Sequence, residues 1–198
     1  MPHRYTDVDQ MILSRWPEVA GLRDAFDDLL NRMREVLTDA LAKVSVQAQE
    51  RGYASDYDAR RPSVSFWKKE WETKTSKEAG VYFFICDFAP SEYGKSEGNF
   101  PTLELWTDQL SKIKIKDRQA FAKDIKAELS PELRGRWDDA ANDPDQCPLA
   151  VQLRDISEAQ RVRWMAEPAT LVQFLLERLD ECGALVPAVN RALEKGRG

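Results

Sequence analysis

From residue 22 to residue 48 apolar side chains recur at three- and four-residue steps, and neither glycine nor proline interrupts the stretch. Leu22, Phe26, Leu29, Leu30, Met33, Val36, Leu37, Ala40, Leu41, Val44 and Ala48 share one face of a 3.6-residue repeat. The spacing predicts a single amphipathic helix from Pro17 to Arg51, stopped by Gly52, a residue suited to the left-handed turn past a helix end. At 100° per residue its apolar stripe is about 140° wide, from Val36 to Leu41, with Asp24, Asp28, Glu35 and Asp39 opposite. That width is broad for a simple zipper and suits a helix laid across a sheet. At about 1.5 Å per residue the helix is roughly 50 Å long, so one end should outrun a four-stranded sheet and offer apolar surface to a partner. Val44 and Ala48 are the markers of whether the C-terminal end is covered by this chain. A shorter helix should precede it, with Thr6 and Asp9 as a capping pair and Val8, Ile12, Leu13 and Trp16 as its apolar stripe.

The pattern then changes period. Residues 53–62 are rich in Asp, Arg, Ser and Tyr and read as a connection. Val64 to Glu72 is aromatic and β-branched, Val81 to Phe88 is almost wholly apolar, and Thr102 to Thr107 alternates Leu103 and Leu105 with polar neighbours. The middle run reads as a central strand buried on both faces, and the short links favour an antiparallel meander. Lys112, Lys114 and Lys116 alternate with Ile113 and Ile115 like an edge strand, and a helix should follow Asp117. Ser130-Pro131 opens a short helix, and Leu149, Val151 and Leu153 alternate as a further strand. Ser157 and Pro168 open two more helices, with Gly183 separating the second from a last one that ends near Lys195. The fold class expected is α+β: a long N-terminal helix packed on an antiparallel sheet of about four strands, with C-terminal helices. The organisation expected is a single domain over 1–198, with a helical part to residue 52, the meander at 63–108 and a mainly helical remainder from 109.

Composition narrows this picture. A chain of 198 residues can bury a core without disulfides, and Cys86, Cys147 and Cys182 are odd in number, with no Cys-x-x-Cys spacing. No apolar run approaches the length of a membrane span, and residues 1–10 lack the apolar core of a signal peptide, so the expected location is the cytoplasm. The net charge of −5 conceals alternating segments. Residues 53–77 and 111–136 carry more basic than acidic side chains, whereas 78–110 and 137–170 carry more acidic than basic ones. That is the mixed surface of a globular protein rather than one continuous basic footprint.

Three groups of residues carry candidate chemistry. Ala89-Pro-Ser-Glu-Tyr-Gly94-Lys95-Ser96 has the spacing of a phosphate-binding loop, with alanine at the first glycine position. The Gly98-Asn99-Phe100-Pro101 that follows argues against the helix whose N-terminus such a loop requires, and Glu92 would repel the phosphate. Glu72-Thr73-Lys74, with Asp58 upstream, has the acid-x-lysine form of a magnesium-dependent nuclease, as does Asp124-Ile125-Lys126 on a helix. So short a pattern arises readily by chance in a chain this rich in acids and lysines. Trp67, Lys69 and Trp71, read as one face of the first strand, would make a stacking platform for single-stranded nucleic acid; the competing reading buries both indoles against the long helix. His3 is the only histidine, which leaves no Ser-His or Cys-His pair to assemble and no imidazole set for a transition metal. No cofactor or metal is therefore expected. The function that remains is a non-enzymatic protein-interaction or regulatory module, with a protein partner or a second copy of itself.

Overall fold

The computed structural model describes residues 6–73, 78–86, 88, 90, 102–138, 149–151 and 156–197. Helix α1 (Asp7–Ser14) opens with a reciprocal cap: the Asp9 amide donates to Thr6 Oγ1 at 3.2 Å, and the Thr6 amide donates to Asp9 Oδ2 at 2.7 Å. The Thr6 hydroxyl also donates to Asp9 Oδ2 at 2.6 Å, and that bond, followed by the one from the Thr6 amide, holds the Asp9 carboxyl below its usual range. Arg15, at φ −120° and ψ 28°, separates α1 from α2 (Trp16–Glu50). Helix α2 ends where the pattern predicts: Gly52 takes a positive φ of 76°, and Lys68 Nζ donates to the Arg51 and Gly52 carbonyls at 3.3 Å each.

The sheet is antiparallel throughout, in the order β1-β2-β3-β4-β6-β5. Its strands are β1 (Ala54–Asp58), β2 (Ser63–Trp67), β3 (Tyr82–Cys86), β4 (Thr102–Trp106), β5 (Trp137–Asp138) and β6 (Leu149–Val151). Four coincide with expected strands, and two exceed the expectation. The first extra strand, β1, occupies the segment read as a connection; its sequence, Ala-Ser-Asp-Tyr-Asp, lacks an apolar alternation because it is an edge strand. The second, β5, is two residues long and forms the opposite edge among the described residues. Helices α3 (Arg118–Glu128), α4 (Pro131–Arg136), α5 (Glu158–Ala166) and α6 (Pro168–Arg197) complete the described chain. Asp117, Ser130 and Ser157 cap α3, α4 and α5 through their side-chain oxygens.

One apolar cluster runs from Leu37 to Leu193. Leu37, Ala40, Leu41, Val44 and Ala48 of α2 meet one face of the sheet, built from Val64, Phe66, Phe83, Ile85, Leu103, Leu105 and Leu149. Helix α6 packs against α2 and α3, and α5 packs against α6.

Three further expectations are corrected. The strand at β3 is fully buried on one face only: Phe83 and Ile85 alternate with half-buried Tyr82, Phe84 and Cys86. Lys112 to Lys116 is not an edge strand, because residues Leu110–Ile113 form a 3-10 turn and Lys114 adopts the left-handed conformation at φ 70°. Finally, α6 runs through Gly183 and Pro187 without a break. Pro187 has no N–H to give the Gly183 carbonyl, yet Leu185, Ala188 and Val189 are buried around it, and that packing outweighs the local penalty.

Candidate interaction surface

Helix α2 divides at Leu37. Every fully buried residue of the helix lies at or beyond that position, and Val44 and Ala48 are completely covered. The covered end is therefore the C-terminal one, and the end that outruns the sheet is N-terminal. There the stripe that forms core further along stands in the open: Leu22 is 72%, Phe26 57% and Leu29 45% exposed. Helix α1 buries none of its residues, and Val8, Met11, Leu13 and Trp16 are each more than half exposed. Side chains this large and this exposed on consecutive turns form a patch that a monomeric protein rarely leaves uncovered.

The back of this arm is polar. Arg23 and Asp24 pair at 2.9 Å in solvent, and Arg34 donates to Asn31 at 2.8 Å. Across residues 16–36 three arginines stand against five acidic residues. Such a surface is poorly matched to phosphate-bearing partners.

The residues singled out for chemistry are dispersed by the fold. Trp67 ends β2 on the sheet face turned away from the helices, where it is half buried and its indole donates to Glu72 Oε1 at 3.0 Å. Lys69 and Trp71 lie in a 3-10 turn, Lys69–Trp71, which breaks the strand's alternation. Trp71 consequently turns into the core at 0% exposure, donates to Asn190 Oδ1 at 2.6 Å and packs 5.6 Å from the Phe83 ring. Trp67 and Trp71 thus occupy opposite faces, contrary to the shared face expected of them, and Lys69 is exposed.

Trp67 shares its face with a group that the sequence reading did not assemble: Tyr82, Phe84 and Trp106. The Tyr82 and Trp106 rings stack at 6.4 Å and 12°, directly across the β3–β4 register, and Phe84 meets Trp106 edge-on at 5.9 Å. The Trp106 indole donates to Glu104 Oε2 at 2.6 Å. Beside them, Trp67, Ser65, Tyr82 and Asp56 line a shallow groove of about 470 Å³, bordered by the Lys112–Glu78 ion pair at 2.6 Å. The alternation of aromatic residues in both strands was the available signal, but continuous apolarity at 81–88 masked it.

The acid-x-lysine candidates are also separated. Asp58 Oδ1 accepts from the amides of Arg60 and Arg61, closing the β1–β2 turn opposite Ser63. Glu72 sits beyond the far end of β2, a strand length away, and Lys74 lies outside the described residues. On α3, Asp124 pairs with Lys195 at 2.8 Å. Gly94, Lys95 and Ser96 of the loop with phosphate-binding spacing lie outside the described residues, as do His3 and Cys147. Among the described residues no group of three or more His, Cys, Asp or Glu side chains gathers as a metal cage. No described helix is long and apolar enough to cross a membrane.

No family model matches the chain, and neither the curated proteins nor the solved structures contain a match.

Proposed function

We propose that this chain is a cytoplasmic protein-interaction module whose working surface is the apolar face of α1 and the N-terminal half of α2. One observation carries the reading: the stripe that is core from Leu37 onward continues, uncovered, through Leu29, Phe26 and Leu22. A helix face of this kind is recognised by another helix or by an apolar groove. The acidic excess on the back of the arm argues for a protein partner over a lipid surface or a nucleic acid. The test is affinity purification from the native cell with the parent chain and with a Leu22→Glu, Phe26→Glu variant. A partner recovered with the parent and lost with the variant supports docking on the arm. Equal recovery with both removes the arm from the interaction.

A second reading draws on the aromatic face of the sheet. Trp67, Tyr82, Phe84 and Trp106 offer rings on which bases of single-stranded nucleic acid could stack. Glu72 and Glu104, bonded to the two indoles, place negative charge where phosphates would pass, which makes this the weaker proposal. Salt-sensitive retention of single-stranded DNA that is lost in Trp67→Ala would favour it; no retention at low salt would remove it.

A further inference from the structure

The exposed half of α2 follows a different period from the buried half. Val19, Leu22, Phe26, Leu29, Met33 and Val36 are spaced 3, 4, 3, 4 and 3 residues apart, which is the 3.5-residue repeat of a helix seam; Leu22, Phe26 and Leu29 are exposed, Val19 and Val36 are half buried, and Met33 already touches this chain's own core. The flanking positions agree. Asp24, Asp27, Asp28, Asn31, Arg34 and Glu35 all fall outside the seam, on the solvent side. At Leu37 the phase changes: the stripe that packs on the sheet is centred about 45° around the helix from the seam. A seam and a core stripe written in succession on one helix indicate that the arm is shaped for another helix.

We infer that this helix is the arm of a second copy of the chain, laid antiparallel so that Val19 of each copy faces Val36 of the other. The inference rests on the docking reading above and adds the identity and direction of the occupant. Two physical arguments support it.

The first is direction. Past Val36 the sheet occupies almost the same side of α2 as the seam, so a parallel partner helix would run into this chain's own body. An antiparallel arm keeps the two bodies at opposite ends of the paired segment, and the break at Arg15 lets the other copy's α1 leave the helix line before it reaches this chain's sheet. That places Trp16, with Val8 and Leu13 of α1, beside the other copy's body.

The second is area. Taking aromatic side chains at roughly 150–250 Å² and aliphatic ones somewhat lower, the exposed fractions of Val8, Leu13, Trp16, Leu22, Phe26 and Leu29 correspond to on the order of 500 Å² per chain. Two copies together supply about 1,000 Å², the area that a biological interface has to clear.

The test uses the full chain. Light scattering after size-exclusion chromatography, from low to high micromolar concentration, should give twice the mass of the chain, and Leu22→Glu, Phe26→Glu should halve it, with a thermal midpoint that matches the parent only where the parent is diluted to a monomer. Direction is read from cross-linking by oxidation, with the parent and its native thiols as the control. Val19→Cys mixed with Val36→Cys should join to each other, whereas Val19→Cys alone should not, since its two sulfurs would be about 26 Å apart along the axis. Self-joining of Val19→Cys overturns the antiparallel arrangement. A monomeric mass at every concentration overturns the second copy altogether. In that case the affinity purification above still decides the docking reading, which stands if a different protein is lost with the double variant and falls if none is.

Discussion

Trp67 and Trp71 are four residues apart and end on opposite faces of the sheet, one half exposed and one sealed. Truncating them should therefore have unequal costs. Trp71→Ala removes a fully buried ring and strands the Asn190 amide, so a loss of about 3–5 kcal/mol is expected in urea unfolding. Trp67→Ala should cost clearly less. The sequence did not reveal this split, because five residues of good alternation run straight into a turn of Lys-Glu-Trp that looks like more of the same strand. Tyr53 gives a second prediction at this scale. Burial, and then the neighbouring Cys182 thiol and Asp180 carboxylate, push its phenol from 10.0 up to about 12. The unfolded chain loses that proton first, so the contribution of Tyr53 to stability is complete below pH 10 and is lost as pH rises from 10 to about 12. Cys182, whose thiol burial also raises from 9.0, adds a slope of the same sign that starts lower. The difference between the parent chain and Tyr53→Phe isolates the phenol: stability measured across that window should fall more steeply in the parent.

Among the elements, α2 is the one whose limits were most legible, since a sustained helical period, a proline at the start and a glycine past the end all agree. Which half of it is covered was not legible. A stripe of Leu, Phe and Met reads the same whether its own sheet or another molecule lies over it, and only the long-range pairing with β1, β2 and α6 decides. The division has a measurable signature. Leu41→Ala should destabilise by about 2–5 kcal/mol, whereas Leu22→Glu should change stability by no more than about 0.5 kcal/mol when the chain is dilute. Amide exchange of the chain diluted to a monomer should show the same boundary, with residues 16–34 exchanging far faster than 37–48, because an unpacked helix is held only by its own marginal bonds. The strands show the complementary difficulty. The apolar strands β2, β3 and β4 were evident, but β1 was not, because a polar edge strand carries little of the pattern that marks a sheet.

At the scale of the whole molecule, core and candidate surface are carried by different stretches of chain, since the described core cluster begins at Leu37. Removal of residues 1–31 should therefore leave a folded body with little loss of stability, since α2 already starts at Arg15 without a side-chain cap, while abolishing association of the full chain. Circular dichroism melts compared with light scattering on the same samples would show the two effects separately. The continuity of α2 carries one more consequence. Beyond Gly21 the helix has neither glycine nor proline until its end, so nothing between Leu22 and Glu50 lets it fold back on itself. It acts as a ruler: whatever seats on Trp16 is held about 30 Å from the sheet, a distance set by residue count alone. Adding or deleting one heptad between Leu22 and Val36 would change that reach by about 10 Å while keeping the repeat in phase, and so would change the spacing and the length of the paired seam together.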